Sequence, residues 1–284
     1  MSTAISVCHG AFGRAALYRQ DKSLITHAHR EGHLMFHIEG AKPNVIINDE
    51  ECCVDSEQVV AVSPMEPHSF NLEADEACVV LVLYIKPIWF LENSQSAEFT
   101  MQFGASKIAR TTAIDKLVKG LASLLLSSQD IEHADSLLFD LTKLCYDQTW
   151  HGNKAPCLLE NATSRFQDYR IRRSLQLMQQ CVSTVVEMED VAKAVGLSRP
   201  HFFKIFKKQV GVTPNVYLNT LRSECAIHEL VNTNKTVTNI AYDLGYSSQA
   251  SFTRFFSSNV GIAPSEYRRV ADRLTPIYSD SVRI

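Results

Sequence analysis

The sequence predicts an α+β multidomain chain: an N-terminal β-barrel with following helices, then an all-α domain built on two tandem helix-turn-helix units. Three observations carry this. Short β-branched segments separated by turns fill the first ninety residues. Helical apolar periods follow to about residue 149. The last hundred residues repeat one helix–turn–helix pattern at a fixed spacing.

In the first ninety residues Val45–Ile47, Val59–Val62 and Val79–Ile85 are short and apolar. Turns such as Glu39-Gly40-Ala41-Lys42-Pro43 and Asn48-Asp49-Glu50-Glu51 bound them. Strands at this spacing predict a sandwich or barrel over residues 1–112. Ile114–Leu126 and Leu137–Tyr146 then place apolar residues three and four apart, which predicts two helices in a segment 113–149. One stripe covers the barrel, and part of another is available for dimerisation. Residues 150–168 break both periods and read as a linker. The domain at 169–272 is helical throughout.

The net charge of −3 hides a division. Residues 1–164 carry −9 and residues 165–284 carry +6. A basic C-terminal half suits a polyanion. No apolar run approaches the roughly 18 residues that span a bilayer, and no leader is evident, so membrane attachment is not expected and the cytoplasm is. The eight cysteines are scattered without a CxxC pair. They read as reduced, mostly buried thiols.

In Met188–Val210, Val191, Ala192 and Val195 form an apolar face, Gly196 supplies a tight turn, and Ser198 stands at the cap of the next helix. That helix buries Phe202, Ile205 and Phe206. Gly211 ends it and Pro214 begins a long helix. Ile240, Ala241 and Gly245 stand 49 residues after Val191, Ala192 and Gly196. Beyond the turn the offset is 50, matching Ser248, Phe252, Arg254, Phe256, Gly261 and Pro264 to Ser198, Phe202, Lys204, Phe206, Gly211 and Pro214. A long connecting helix can hold two recognition helices for adjacent major-groove segments. The candidate DNA-binding residues are Arg199, His201, Lys204, Lys207 and Lys208 in the first unit. In the second they are Ser248, Gln249, Ser251 and Arg254. Lys204 and Arg254 match and suit guanine edges; Gln249 suits adenine. Lys207, Lys208, Arg268 and Arg269 read as phosphate contacts.

The stretch from Gly245 to Phe256, followed by Gly261-Ile262-Ala263-Pro264-Ser265-Glu266-Tyr267-Arg268, resembles the signature of the AraC/XylS family of bacterial transcription regulators. The first unit is similar to that family's first motif. The resemblance covers about residues 170–270. It implies a regulator, more often an activator, that dimerises, responds to a small-molecule effector and contacts RNA polymerase.

Near the N-terminus His27, His29 and His33 differ by even numbers, as residues on one strand face do. His68 follows in Pro64-Met65-Glu66-Pro67-His68-Ser69-Phe70-Asn71. Three or four imidazoles at one point would hold a divalent transition metal. Equally, His27, His29, His33 and His68 could line a metal-free effector pocket, or serve structure alone. The spacing is similar to the two cupin motifs, with His33 where cupins usually have Glu. This implies a cupin-like sensor ahead of the tandem reader. The alternative is a metal-binding cupin enzyme, a dioxygenase or isomerase, fused to a DNA-binding domain. No general-base carboxylate is evident beside the cluster apart from Glu31 and Glu66, which favours a non-enzymatic reading.

Overall fold

A computed structural model describes residues 2–73, 75–93, 101–127, 131–150, 168–184 and 186–271. The expected linker lies outside the described residues between 151 and 167, as does Cys157.

Among the described residues ten strands come first: β1 (Thr3–Gly10), β2 (Gly13–Gln20), β3 (Leu24–His27), β4 (Gly32–Gly40), β5 (Asn44–Ile47), β6 (Glu50–Cys53), β7 (Gln58–Val62), β8 (His68–Asn71), β9 (Cys78–Ile85) and β10 (Lys107–Ala109). Helix α1 (Pro87–Asn93) precedes β10. Six strands form one antiparallel sheet in the order β1-β2-β9-β4-β7-β10, and four form another in the order β3-β8-β5-β6. These sheets are the two walls of the expected barrel. β9 is buried at every position, because both of its faces are covered. Its Val80, Val82 and Tyr84 turn inward with Tyr18 and Met35. Its Val79, Leu81, Leu83 and Ile85 turn outward.

That outward face receives α2 (Thr112–Ser127) and α3 (Ile131–Thr149). Ile114, Val118, Leu121 and Leu125 of α2, with Leu138, Leu141 and Cys145 of α3, bury their stripes against it. Covering the sheet therefore takes up most of the apolar surface that the sequence offered for dimerisation.

The reader begins at α4 (Tyr169–Gln180), capped by Asp168, whose carboxylate accepts the Arg170 amide. Then follow α5 (Met188–Ala194), α6 (Arg199–Val210), α7 (Pro214–Asn232), α8 (Val237–Asp243), α9 (Gln249–Val260) and α10 (Pro264–Ala271). The two turns are built alike. In the first, the amides of Gly196 and Leu197 donate to the carbonyls of Lys193 and Ala192, both at 2.9 Å. In the second, Gly245 and Tyr246 donate to Tyr242 and Ala241, again at 2.9 Å. Gly196 and Gly245 have φ of +72° and +79°, a region a side chain strongly disfavours. The repeat differs at the cap. Ser248 Oγ accepts the Ser251 amide, whereas Ser198 makes no capping bond with its side chain; the expected Ser198 cap is positional only.

Aromatic packing repeats at the same offset. Phe202 and Phe206 lie edge to face at 5.4 Å, and Phe206 meets Tyr217 at 5.7 Å. Phe252 and Phe256 lie at 5.8 Å, and Phe256 meets Tyr267 at 5.7 Å. All four phenylalanines are fully buried.

Candidate DNA interface, histidine cluster and domain seam

The burial of those phenylalanines fixes which faces of α6 and α9 remain outside. Arg199, His201, Lys204, Lys207 and Lys208 are all exposed on α6. Gln249 and Arg254 are exposed on α9, with Ser248 and Ser251 half-buried beside them. Lys204 and Arg254 thus emerge at matching points of the two units. Some of these side chains already have internal work. Ser248 caps α9, and Gln249 Oε1 accepts the Thr238 hydroxyl at 2.5 Å. Arg268 was expected on phosphate; instead it donates to the carbonyls of Leu230 at 3.0 Å and Lys235 at 2.6 Å. A guanidinium offers five N–H donors in a fixed fork, which suits the orphan carbonyls at the end of α7. Arg269 pairs with Glu266. Both arginines are therefore held within the reader.

The four histidines do converge, though not along one strand. His27 ends β3 and stands directly opposite His68 on β8, with ring centroids 4.5 Å apart. His33 lies on β4 opposite Tyr84 of β9. His29 sits in the loop between β3 and β4, fixed by its carbonyl, which accepts the Met65 amide at 2.7 Å. The even spacing of 27, 29 and 33 therefore does not place them on one strand face, because the strand ends at His27. The His29 ring lies 4.9 Å from His27, 4.6 Å from His33 and 5.6 Å from His68. His37 bonds instead to the carbonyls of Gly40 and Ala41, both at 3.1 Å.

Two backbone carbonyls orient the cluster. His27 Nδ1 lies 2.7 Å from the Ile25 oxygen and His68 Nδ1 lies 2.9 Å from the Glu66 oxygen. A carbonyl only accepts, so in both rings Nδ1 carries the proton and Nε2 presents its lone pair. Burial pushes the His68 imidazole down to about 3, and does the same in direction to His27, His29 and His33. All four are neutral at neutral pH. The cavity against His27, His33 and His68 measures about 30 Å³, room for about one water molecule.

A larger space lies where the barrel meets the reader. It measures about 310 Å³ and is lined from the barrel by His9, Arg14, His29 and Lys86, and from α7 by Ile227 and His228. Among the described residues four bonded pairs span this seam. The Tyr267 hydroxyl lies 3.0 Å from His9 Nε2, sharing a hydrogen bond with it, and accepts from Arg14 at 3.4 Å. The Thr220 hydroxyl donates to the Ala28 carbonyl at 2.9 Å. Arg30 forks onto Glu224, its Nε lying 2.8 and 2.7 Å from the two carboxylate oxygens. Sequence reasoning placed none of these pairs. The partners are up to 258 positions apart, beyond any local period. Cys78 and Cys145 stay thiols, pushed up by burial to about 11 and about 12.

Two helix-turn-helix units, the first with a basic and the second with a polar outer face around Arg254, joined to a β domain carrying a pocket at the seam, define a DNA-binding transcription regulator with a ligand-binding domain. Comparison with known proteins gives the same class. A family model for an AraC-like ligand binding domain matches residues 9–142, and one for a helix-turn-helix domain matches residues 191–270. The HTH-type transcriptional activator AarP of Providencia stuartii is 31% identical over 116 residues, 41% of this chain and 86% of that protein. The chain belongs to the AraC family of transcription regulators. The probable transcriptional regulator LumQ of Photobacterium leiognathi is 23% identical over 253 residues, covering 87% of this chain and 93% of its own length. The crystal structure of ToxT from Vibrio cholerae superposes with a TM-score of 0.57 at 16% identity, over 90% of this chain and 97% of that one. Its unsaturated fatty acid-bound form gives 0.55 at 16% identity, over 94% and 96%. No helix among the described residues is long and apolar enough to cross a membrane.

Proposed function

We propose that the chain is a cytoplasmic, dimeric activator, switched by a carboxylate-bearing organic effector that sits in the seam between barrel and reader. The observation that carries this is the seam pocket of about 310 Å³, set against about 30 Å³ at the histidine cluster. Only the first has the volume of an organic ligand site, which usually takes roughly 300–1,000 Å³. Arg14 and Lys86 line it from the barrel and His228 from α7, while Ile227 and Val231 supply apolar wall. Glu224 on the same wall is engaged by Arg30, so Arg14 and Lys86 stand against Glu31 in the lining, and the remaining positive excess favours an anion. ToxT, seen with an unsaturated fatty acid and with a naphthyl-butenoic acid bound, favours the same ligand chemistry.

A ligand touching both walls shifts the balance between arrangements of the reader by its differential affinity for them. Activation follows when the favoured arrangement presents the two recognition helices to DNA and a free surface to RNA polymerase. The histidines then serve the barrel beside the pocket, with only His29 at its edge.

The test is a panel of fatty and aryl acids, scored by thermal shift and by operator affinity. Ile227→Trp, which fills the pocket, should abolish the response and leave basal DNA binding intact. An acid that still shifts operator affinity equally in Ile227→Trp would overturn the placement.

A further inference from the structure

We propose that His27, His29, His33 and His68 form a transition-metal site whose occupancy is felt by the DNA reader through residues 28–30. The metal half stands on the donor set alone. The coupling half rests on the chain being a regulator that binds an operator.

Three of the four donors are already gathered, and His33 stands beside them with its ring 4.6 Å from His29 and 4.9 Å from His68. Ligand nitrogens of His27, His29 and His68 all lie within 4.8 Å of one another. In a tetrahedral zinc site with Zn–N near 2.0 Å, ligand nitrogens stand about 3.3 Å apart, so modest ring rotations close the set. Two of the rings hold their Nδ1 protons on backbone carbonyls, the outer contact that usually fixes a metal-binding imidazole. His29 Nε2, both His33 nitrogens and His68 Nε2 are buried with no hydrogen-bond partner. Buried polar groups are normally satisfied, and unsatisfied nitrogens on three rings whose centroids stand 4.6–5.6 Å apart point to a shared partner. Neutral imidazoles without a carboxylate or thiolate suit zinc, cobalt, nickel or copper rather than magnesium or calcium. Arg14 is the opposing charge nearby. It lies over the Tyr84 ring, 3.5 Å from its centroid, and that ring meets His29 and His33 edge to face.

The same segment touches the reader. Ala28, between two of the ligands, accepts the Thr220 hydroxyl of α7, and Arg30 engages Glu224 of α7. Val260 at the end of α9 lines the cluster's cavity. An ion that draws His27 and His29 together with His68 therefore sets the backbone on which α7 rests.

The test uses the full chain, stripped by chelator and then titrated with Co²⁺. The expected result is one equivalent bound, with the visible absorption of a four-coordinate nitrogen site, displaced by Zn²⁺. His29→Ala and His68→Ala should each weaken Co²⁺ at least about 100-fold, while His37→Ala should not. A folded wild-type chain that binds no Co²⁺, or equal affinity in His68→Ala and His37→Ala, overturns the metal site. Saturating Zn²⁺ should change operator affinity about fivefold or more. Thr220→Val should shrink that change and keep the Co²⁺ spectrum. Operator affinity indifferent to Zn²⁺ overturns the coupling. An organic acid that fails to bind leaves the Co²⁺ result untouched, so the two readings fail separately.

Discussion

Tyr267→Phe tests whether the seam is a designed latch or an incidental contact. The ring is fully buried, and its packing on Phe256 survives the substitution. Only the hydroxyl is lost. With it go the bond to His9 Nε2 at 3.0 Å and the longer bond from Arg14 at 3.4 Å. Each net hydrogen bond contributes about 1 kcal/mol. Arg14 is buried, and its Nε has no partner, so losing another acceptor adds to the cost. The sum is about 2 kcal/mol, or roughly 30-fold in the balance between docked and released reader. Hydrogen exchange reads this locally. Amides of β1 and α10 at the seam should exchange about 30-fold faster, while amides of α5 and α6 stay unchanged. Unchanged exchange at the seam, or uniform acceleration across the chain, would refute the latch.

His9 gives a pH prediction at the same contact. Burial, then Arg14 and Lys86, push its imidazole from 6.5 down to about 3. The unfolded chain therefore takes up the proton first, and stability from this group is complete above pH 6.5 and lost as pH falls toward 3. At pH 5.5 wild type should lose about 1 kcal/mol more than His9→Gln, read by urea denaturation; equal losses would show that His9 does not set this slope. On the DNA face, α6 carries most of the positive charge. Lys204→Ala should cost roughly 10–100-fold in operator affinity and more than Arg254→Ala, measured by fluorescence anisotropy; the reverse order would contradict that ranking. Gly245→Ala forces a side chain into φ +79°, with its Cβ 3.1 Å from the Thr184 carbonyl carbon. A loss of about 1–3 kcal/mol in the reader's stability is expected, while no loss in a thermal melt would mean that the turn relaxes.

The reader was legible because its constraints are local. A small residue where two helices cross, a left-handed glycine and two aromatics one turn apart leave a fixed spacing in the chain. The structure keeps every one of them, down to the extra residue in the second turn. The histidine cluster was legible in membership but not in construction. Alternation suggested one strand face, yet β3 stops at His27 and a loop delivers His29. What local pattern hides is who meets whom. Tyr217 and Tyr267 occupy the same repeat position, but the first accepts from Gln179 of α4 while the second latches the barrel. Arg268 has the sequence context of a phosphate contact and spends its donors on carbonyls. The apolar stripes of α2 and α3 were clear, and so was a covering role, but how little they leave for a partner depends on how much of β9's outer face they meet.

The central claim is that α6 and α9 together read a DNA sequence. The most direct measurement selects an operator from random duplexes with the full chain. It then compares that operator with a scrambled duplex of equal length at the same salt. The account predicts operator binding at least about 1,000-fold tighter. Equal affinity for the two duplexes would contradict it.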